Sequence, residues 1–333
     1  MTAGPAGRAV VTGGAGFLGS HLCEALLARE CEVVCIDNLS TSDGSNVSHL
    51  LEEAGFSFVR ADITEGITID GPVDIVAHLA CPASPADYIR LPLQTLDVGS
   101  RGSEACLRLA AEHGARYLLA STSEVYGEPL VHPQPETYWG NVNSIGPRSV
   151  YDESKRFAEA LSMAWARERG VDVGIVRIFN TYGPRLRQGD GRAVSNFIVQ
   201  ALTGRPLTVY GDGQQTRSLC YQSDLITGIV AMLDARGVTG PVNLGNPAEL
   251  TVLELASLVL EATGSSSEVV HLEALEDDPT RRKPDITRAR ELLGWAPEVS
   301  LADGLGRTIS WFAGNLDHTT LLEQGTLGPA VQR

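Results

Sequence analysis

Positive charge is scarce in this chain: 26 Lys and Arg stand against 41 Asp and Glu, a formal net charge of −15 over 333 residues. Such a chain repels polyphosphate backbones and anionic bilayers, so no nucleic acid and no membrane partner is expected. No apolar run reaches the roughly 20 residues that span a bilayer. The N-terminus enters a strand almost at once, without a signal-peptide pattern, which points to a cytoplasmic protein. CxxC spacing is missing as well. Cys23, Cys31, Cys35, Cys81, Cys106 and Cys220 fall mostly in apolar runs, as buried reduced thiols do. The seven His form no ligand cluster, so no metal is expected. What remains, 43% hydrophobic and 20% charged, is the composition of an ordinary globular α/β protein.

Short apolar strands alternate with helical patterns through the first half. Arg8 to Thr12 is a strand that runs straight into GGAGFLGSH. Gly13, Gly16 and Gly19 have the spacing that turns a strand tightly into a helix and lets the backbone approach a pyrophosphate, with Phe17 and Leu18 opening that helix. The next strand, EVVCID, ends in Asp37, eighteen residues after Gly19. A carboxylate there accepts from the adenosine ribose hydroxyls and repels a 2′-phosphate. No Lys or Arg follows between Asn38 and Leu50, so the cofactor expected is NAD. Strands are also expected at Phe56 to Ala61, Val73 to Leu79, Ala115 to Ala120 and Asp172 to Ile178, with a helix from Leu93 to His113. Asp62 and Ile63 would flank the adenine, and Asn38, Leu79 and Ala80 complete the cofactor set. The pattern predicts a Rossmann-type doubly wound parallel sheet with a smaller C-terminal α/β substrate-binding lobe. The division expected is 1–180 for the sheet domain, with return segments near 221–245, 181–312 for the second lobe, and a weakly ordered tail at 313–333.

The stretch from Ser121 to Lys155 carries the chemistry. STSEVYG follows the apolar run ARYLLA, so Thr122, Ser123 and Glu124 sit where a strand ends. YDESK opens a helix on which Tyr151 and Lys155 share a face. A cation one turn from a phenol lowers its pKa from the usual ~10 and makes it a competent base. The Thr122 hydroxyl can hold a substrate hydroxyl against that oxygen. His78 reads as a core residue, and Tyr138 and Trp139 as packing residues of the loop.

TGGAGFLGSH, STSEVYG, YDESK, RIFNTYGPR, GRAVSNFIVQAL, LTVYGDGQQTRS and DDPTRRKPDI together resemble the extended short-chain dehydrogenases/reductases. Within them the chain is most similar to the UDP-glucuronate decarboxylases, also called UDP-xylose synthases, from Arg8 to about Phe312. The resemblance implies Tyr151 as base and Lys155 as its partner on the nicotinamide ribose. It implies Thr122, Ser123 and Glu124 around the sugar, flanked by Pro82, Ala83 and Tyr88. Asn180 and Arg185 would hold the phosphates; Arg192, Tyr210, Gln215 and Arg217 would line the uridine and phosphate pocket. Arg282, after the acidic run Glu276 to Asp278, would reach the sugar carboxylate. It also implies a homodimer, joined through a bundle of four helices, Leu93 to His113 and Tyr151 to Arg169 of each copy. Four positions depart from the family pattern: Gly99 for Asn, Asp97 for Lys, Cys81 for Ser and Gln222 for Val.

The expected reaction oxidises the sugar at its 4-position and loses carbon dioxide from the β-keto acid so formed. It then protonates the enolate, with Glu124 or a water it positions as donor, and reduces the ketone again. A 4,6-dehydratase wants an acid where Ser123 stands, and a 4-epimerase has little use for Glu124. A non-catalytic NAD-binding sensor would have no need of both Tyr151 and Lys155.

Overall fold

The computed structural model describes residues 7–274 and 278–316. Its centre is a sheet of seven parallel strands. Their order is Pro241–Leu244, Val173–Ile178, Arg116–Thr122, Ile75–His78, Arg8–Thr12, Glu32–Asp37 and Phe56–Arg60. These strands are near-continuous apolar runs because both of their faces are covered. Alternate residues of one strand enter opposite cores. Val11, Val33 and Leu118 pack with Leu22, Ile229 and Trp295, while Val10, Val34 and Leu119 pack with Leu107, Tyr117 and Ile175. Chain order reverses between Arg8–Thr12 and Ile75–His78, which opens a crevice at the carboxyl ends of the strands.

The expected strands are present within a residue or two of their ends. The seventh, Pro241–Leu244, is the addition: it lies in the segment expected to return to the sheet and pairs with Val173–Ile178. The helix expected from Leu93 to His113 is broken into Pro92–Asp97, a π turn at Val98–Gly102, and Ser103–His113. The turn passes close to the helix Ser149–Arg169. A Cβ on Gly99 would lie 2.7 Å from the Ser154 Cβ and 2.8 Å from its carbonyl oxygen.

A second lobe stands over the carboxyl ends of the strands. Leu207–Tyr210 pairs with Val269–Leu272, and Thr216–Ser218 is flanked by Glu249–Thr251 and Arg281–Arg282. Helices Ala193–Leu202, Val252–Thr263 and Leu301–Asn315 enclose a separate core of Phe197, Ile198, Leu255, Val259, Leu305 and Phe312. That last helix runs to Asn315, past the expected start of the tail; 317–333 lie outside the described residues, as do Glu276 and Asp277.

Two expectations for single residues differ in outcome. His78 is buried, its ring between Thr12 and Ser103. Tyr138 stacks on Tyr126, but Trp139 packs on nothing comparable and is 88% exposed. Among the described residues no helix is long and apolar enough to cross a membrane, and no group of His, Cys, Asp and Glu could hold a metal ion.

Candidate active site

The crevice is shaped for a dinucleotide. Gly13 has φ +69°, and a Cβ there would lie 2.6 Å from the Ala80 backbone. A Cβ on Gly19 would collide with the Gly13 carbonyl. The helix Phe17–Leu27 starts at Gly16 with no side-chain cap, so its first amides face the crevice, as an anionic pyrophosphate requires. Asp37 accepts from Ala15 N at 3.1 Å and Leu39 N at 2.8 Å, and burial pushes its pKa up. Asn38 donates to Asp62 at 3.0 Å, which also caps the turn carrying the buried Ile63. Leu79 N donates to Thr12 O, which sets Ala80 beneath Gly13. The glycine cradle and its uncapped amides fit NAD.

Tyr151 lies at the other side of the crevice, buried and stacked on Tyr88. Burial pushes the phenol pKa up, neighbouring Cys81 adds to this, and a hydrogen bond with Thr122 pulls the other way. The Lys155 ammonium donates to Ala120 O at 2.9 Å and also reaches the Cys81 thiol. The sequence predicts a phenol activated by Lys155. In the structure the Lys155 ammonium is anchored on the strand end, on the same helix as Tyr151, and burial dominates the phenol.

Glu124 sits in the turn that follows Arg116–Thr122. Its Oε2 accepts from Arg148 at 3.0 Å and from Arg282 at 3.2 Å. Burial alone would raise its pKa, but Arg282 and Arg148, with Arg217 beyond them, hold it at about 2. A carboxyl so held rests ionised, so it can position a water or pass a proton on but holds none in reserve. Arg282 is 1% exposed and also donates to the Ser123 and Gly127 carbonyls. Arg217 pairs with Asp278 at 2.7 Å, and Arg148 approaches the same carboxylate at 3.6 Å. Glu124, Arg282 and Arg217, named from sequence, are therefore brought together. Arg148, Asp278 and Asp152 complete the cluster and were missed. The available signal was spacing: Arg148 precedes Tyr151 by one helical turn, and Asp152 follows it directly.

The other substrate-side candidates form a looser rim. Arg192 donates to the Ala83 carbonyl at 3.1 Å, next to buried Pro82. Gln215 donates to the Tyr210 carbonyl at 2.8 Å, and Tyr210 itself is exposed. Asn180 accepts from Cys220 N through its backbone. Arg185 is not brought to this rim. It pairs with Glu24 at 2.6 Å, on the helix that starts at the glycine loop. Arg187, which pairs with Asp87 at 2.7 Å, was not singled out.

Comparison with known proteins agrees with this geometry. Residues 9–245 match the NAD dependent epimerase/dehydratase family. UDP-glucuronic acid decarboxylase 1 of Xenopus tropicalis is 50% identical over 311 residues, 93% of this chain and 73% of that protein. UDP-glucuronic acid decarboxylase 1 of Arabidopsis thaliana is 53% identical over 305 residues, 92% of this chain and 69% of that protein. Among solved structures, the UDP-glucuronic acid 4-epimerase of Bacillus cereus, in complex with UDP-glucuronic acid and NAD, superposes with a TM-score of 0.83. It is 29% identical, over 92% of this chain and 99% of that one. The chain thus belongs to the NAD dependent epimerase/dehydratase family and, within it, groups with the UDP-glucuronic acid decarboxylases.

Proposed function

We propose that this chain converts UDP-glucuronate to UDP-xylose and carbon dioxide. The observation that carries the reading is the Glu124 carboxylate, just after Thr122 and Ser123, clamped by Arg282 and by Arg148, which stands one helical turn before Tyr151. Held by the Gly13–Gly19 loop and Asp37, NAD would supply the hydride acceptor for the sugar's 4-position and the hydride donor for the final reduction. Tyr151 takes the 4-hydroxyl proton, and Thr122 orients that hydroxyl. The carboxylate is then β to a ketone, and the electrons left by departing carbon dioxide delocalise onto the ketone oxygen. The chain's part is to orient the sugar and to place charge, which is what the guanidinium cluster supplies. No acid is needed to expel a leaving group, so Ser123 suffices where a dehydratase needs a carboxyl. Tyr151 returns its proton to the 4-oxygen. Pro82, Ala83 and Tyr88 flank the sugar; Asn180, Arg192, Tyr210, Gln215 and Arg217 receive the phosphates and uridine.

The same reading places the enzyme in the cytoplasm as a homodimer. The six cysteines are free thiols, which supports a reducing compartment. Leu93, Leu96 and Phe157 are exposed on the two helices expected to pair, which supports a bundle of four helices; sedimentation measures it. The deciding experiment for the activity is incubation with UDP-glucuronate and catalytic NAD⁺, followed by mass spectrometry of the nucleotide sugars. UDP-xylose without net NADH is expected. UDP-galacturonate as sole product, or conversion of UDP-glucose to a 4-keto-6-deoxy sugar with UDP-glucuronate untouched, overturns the reading.

A further inference from the structure

The proposed decarboxylation has a proton balance that the residues assigned so far do not meet. Tyr151 takes one proton from the 4-hydroxyl and gives it back, so it ends unchanged. Replacing a carboxylate by hydrogen consumes one further proton per turnover, which must come from solvent through some group in the site. Glu124 does not store that proton, because two guanidiniums hold it ionised; it can only pass on a proton that another group supplies.

We propose that Asp152 is the proton-importing residue of this site: it enters each cycle protonated and supplies, by way of the Glu124 carboxylate, the proton that ends on the sugar carbon that lost carbon dioxide. The inference rests on the decarboxylase reading above. Asp152 directly follows Tyr151 in the first turn of Ser149–Arg169 and is 6% exposed. Among the described residues its Oδ1 is buried with no hydrogen-bond partner. A buried ionised carboxylate without a donor is costly, and a protonated one is not. The groups that act on it come from every neighbouring element. They are Glu124 from the turn after the strand, Arg282 from the second lobe, Tyr88 from the short helix Pro85–Arg90, and Arg148 and Glu153 from the cap and first turns of its own helix. Burial first, and the Glu124 charge second, push its pKa up to about 7, while Arg148 and Arg282 oppose them.

The charge count points the same way. With Asp152 neutral, Arg148, Arg217 and Arg282 face Glu124 and Asp278, an excess of one positive charge, which suits an incoming sugar carboxylate. In the step itself the enolate π electrons form the new C–H bond. The O–H pair stays on the carboxyl oxygen, and Asp152 is left as a carboxylate that solvent reprotonates.

The test compares Asp152→Asn with wild type in two assays, single-turnover NADH absorbance and steady-state carbon dioxide and UDP-xylose formation across pH 6–8.5. The variant is expected to reach the NADH-bearing state at the wild-type rate. Its kcat is expected to fall by about 10²–10³-fold, the usual loss with a proton-transfer group, while KM stays within about threefold. Wild-type kcat is expected to decline as pH rises through about 7, since the donor must be protonated, and the residual activity of the variant is expected to lose that limb. Wild-type kcat in the variant, or loss of the first oxidation together with kcat, overturns the proposal. A wild-type kcat that stays flat across this range overturns it without any variant. If wild type forms NADH transiently but releases no carbon dioxide, the decarboxylase reading itself falls.

Discussion

The ring of Tyr88 lies flat against that of Tyr151, with centroids 5.2 Å apart and planes 10° from parallel. Such a pair contributes ~0.5–1.5 kcal/mol beyond the area it buries, and here it fixes the phenol that must meet the substrate. Among the described residues the Tyr88 hydroxyl is buried without a partner. Tyr88→Ala is therefore expected to lower kcat about tenfold. Tyr88→Phe, which keeps the stack and removes the orphaned hydroxyl, is expected to equal or exceed wild type in urea resistance. Steady-state kinetics and urea denaturation check the two.

Oxidation and the later steps are separable. Tyr151→Phe removes the base of the first step, and no NADH signal is expected with UDP-glucuronate, a loss of about 10²–10⁴-fold. Glu124→Gln leaves that base in place, so NADH is expected to form and then persist while product appears slowly. Stopped-flow absorbance reads both; a Glu124→Gln enzyme at wild-type turnover removes Glu124 from the mechanism.

Asp37 holds Ala15 N and Leu39 N as well as its place in the cofactor crevice. Asp37→Asn keeps an acceptor for those amides and removes the charge that repels a 2′-phosphate. The NAD over NADP preference is expected to shrink at least tenfold with little change in melting temperature. Titration of both cofactors measures it, and equal affinity of the wild type for the two contradicts the role given to Asp37.

Glu124 also makes stability depend on acid. Arg282 and Arg148 hold its folded pKa at about 2, below the ordinary glutamate value of 4.5. The stability it contributes is therefore fully present above about 4.5 and is lost as pH falls toward 2, where protonation leaves Arg148 and Arg282 unpaired. Melting temperature followed from pH 6 to pH 3 is expected to fall more steeply in wild type than in Glu124→Gln. Parallel curves would show that the pairing adds nothing.

Gly99 stands where the family resemblance implies an Asn. A Cβ there meets both the Ser154 side chain and its backbone, and the neighbour on the far side of Ser154 is Lys155. Gly99→Asn is expected to cost about 1–3 kcal/mol in urea unfolding, as overpacking does. Gly99→Asn combined with Ser154→Gly is expected to recover little of it, because the Ser154 carbonyl oxygen stays 2.8 Å from the new Cβ and a helical Gly costs about 1 kcal/mol itself.

Six of the seven sheet strands were legible because each is a short apolar run bounded by Gly, Pro or Asp. Pro241–Leu244 has only four residues and reads as a turn-flanked fragment until its partner Val173–Ile178 is seen. The glycine loop and Tyr151 were legible because their chemistry is local in sequence. Glu124 was legible as a residue but not as a charge state, since its partner Arg282 lies 158 positions away. Arg148 and Asp152 were hidden for the opposite reason. Beside and within YDESK they look like ordinary polar residues of a helix start, and only burial distinguishes them. Arg185 was misplaced because its side chain crosses to Glu24 and not to the second lobe.

Arg282 is the last described part of the guanidinium cluster to be synthesised, and its two backbone acceptors, Ser123 and Gly127, are made long before it. The final strand of the sheet ends at Leu244, so a nascent chain has every strand of its dinucleotide crevice before Arg282 leaves the ribosome. Until then Glu124 has only Arg148 among its direct partners. The order of translation therefore separates two parts of the site: the strands that line the crevice come first, and the charge balance that handles a sugar carboxylate arrives only with the closing segment. A chain that stops before Arg282 lacks that balance and also lacks Ile286, Ala289 and Trp295 of the core beneath the sheet, so one closing segment finishes the reaction centre and the packing of the crevice together.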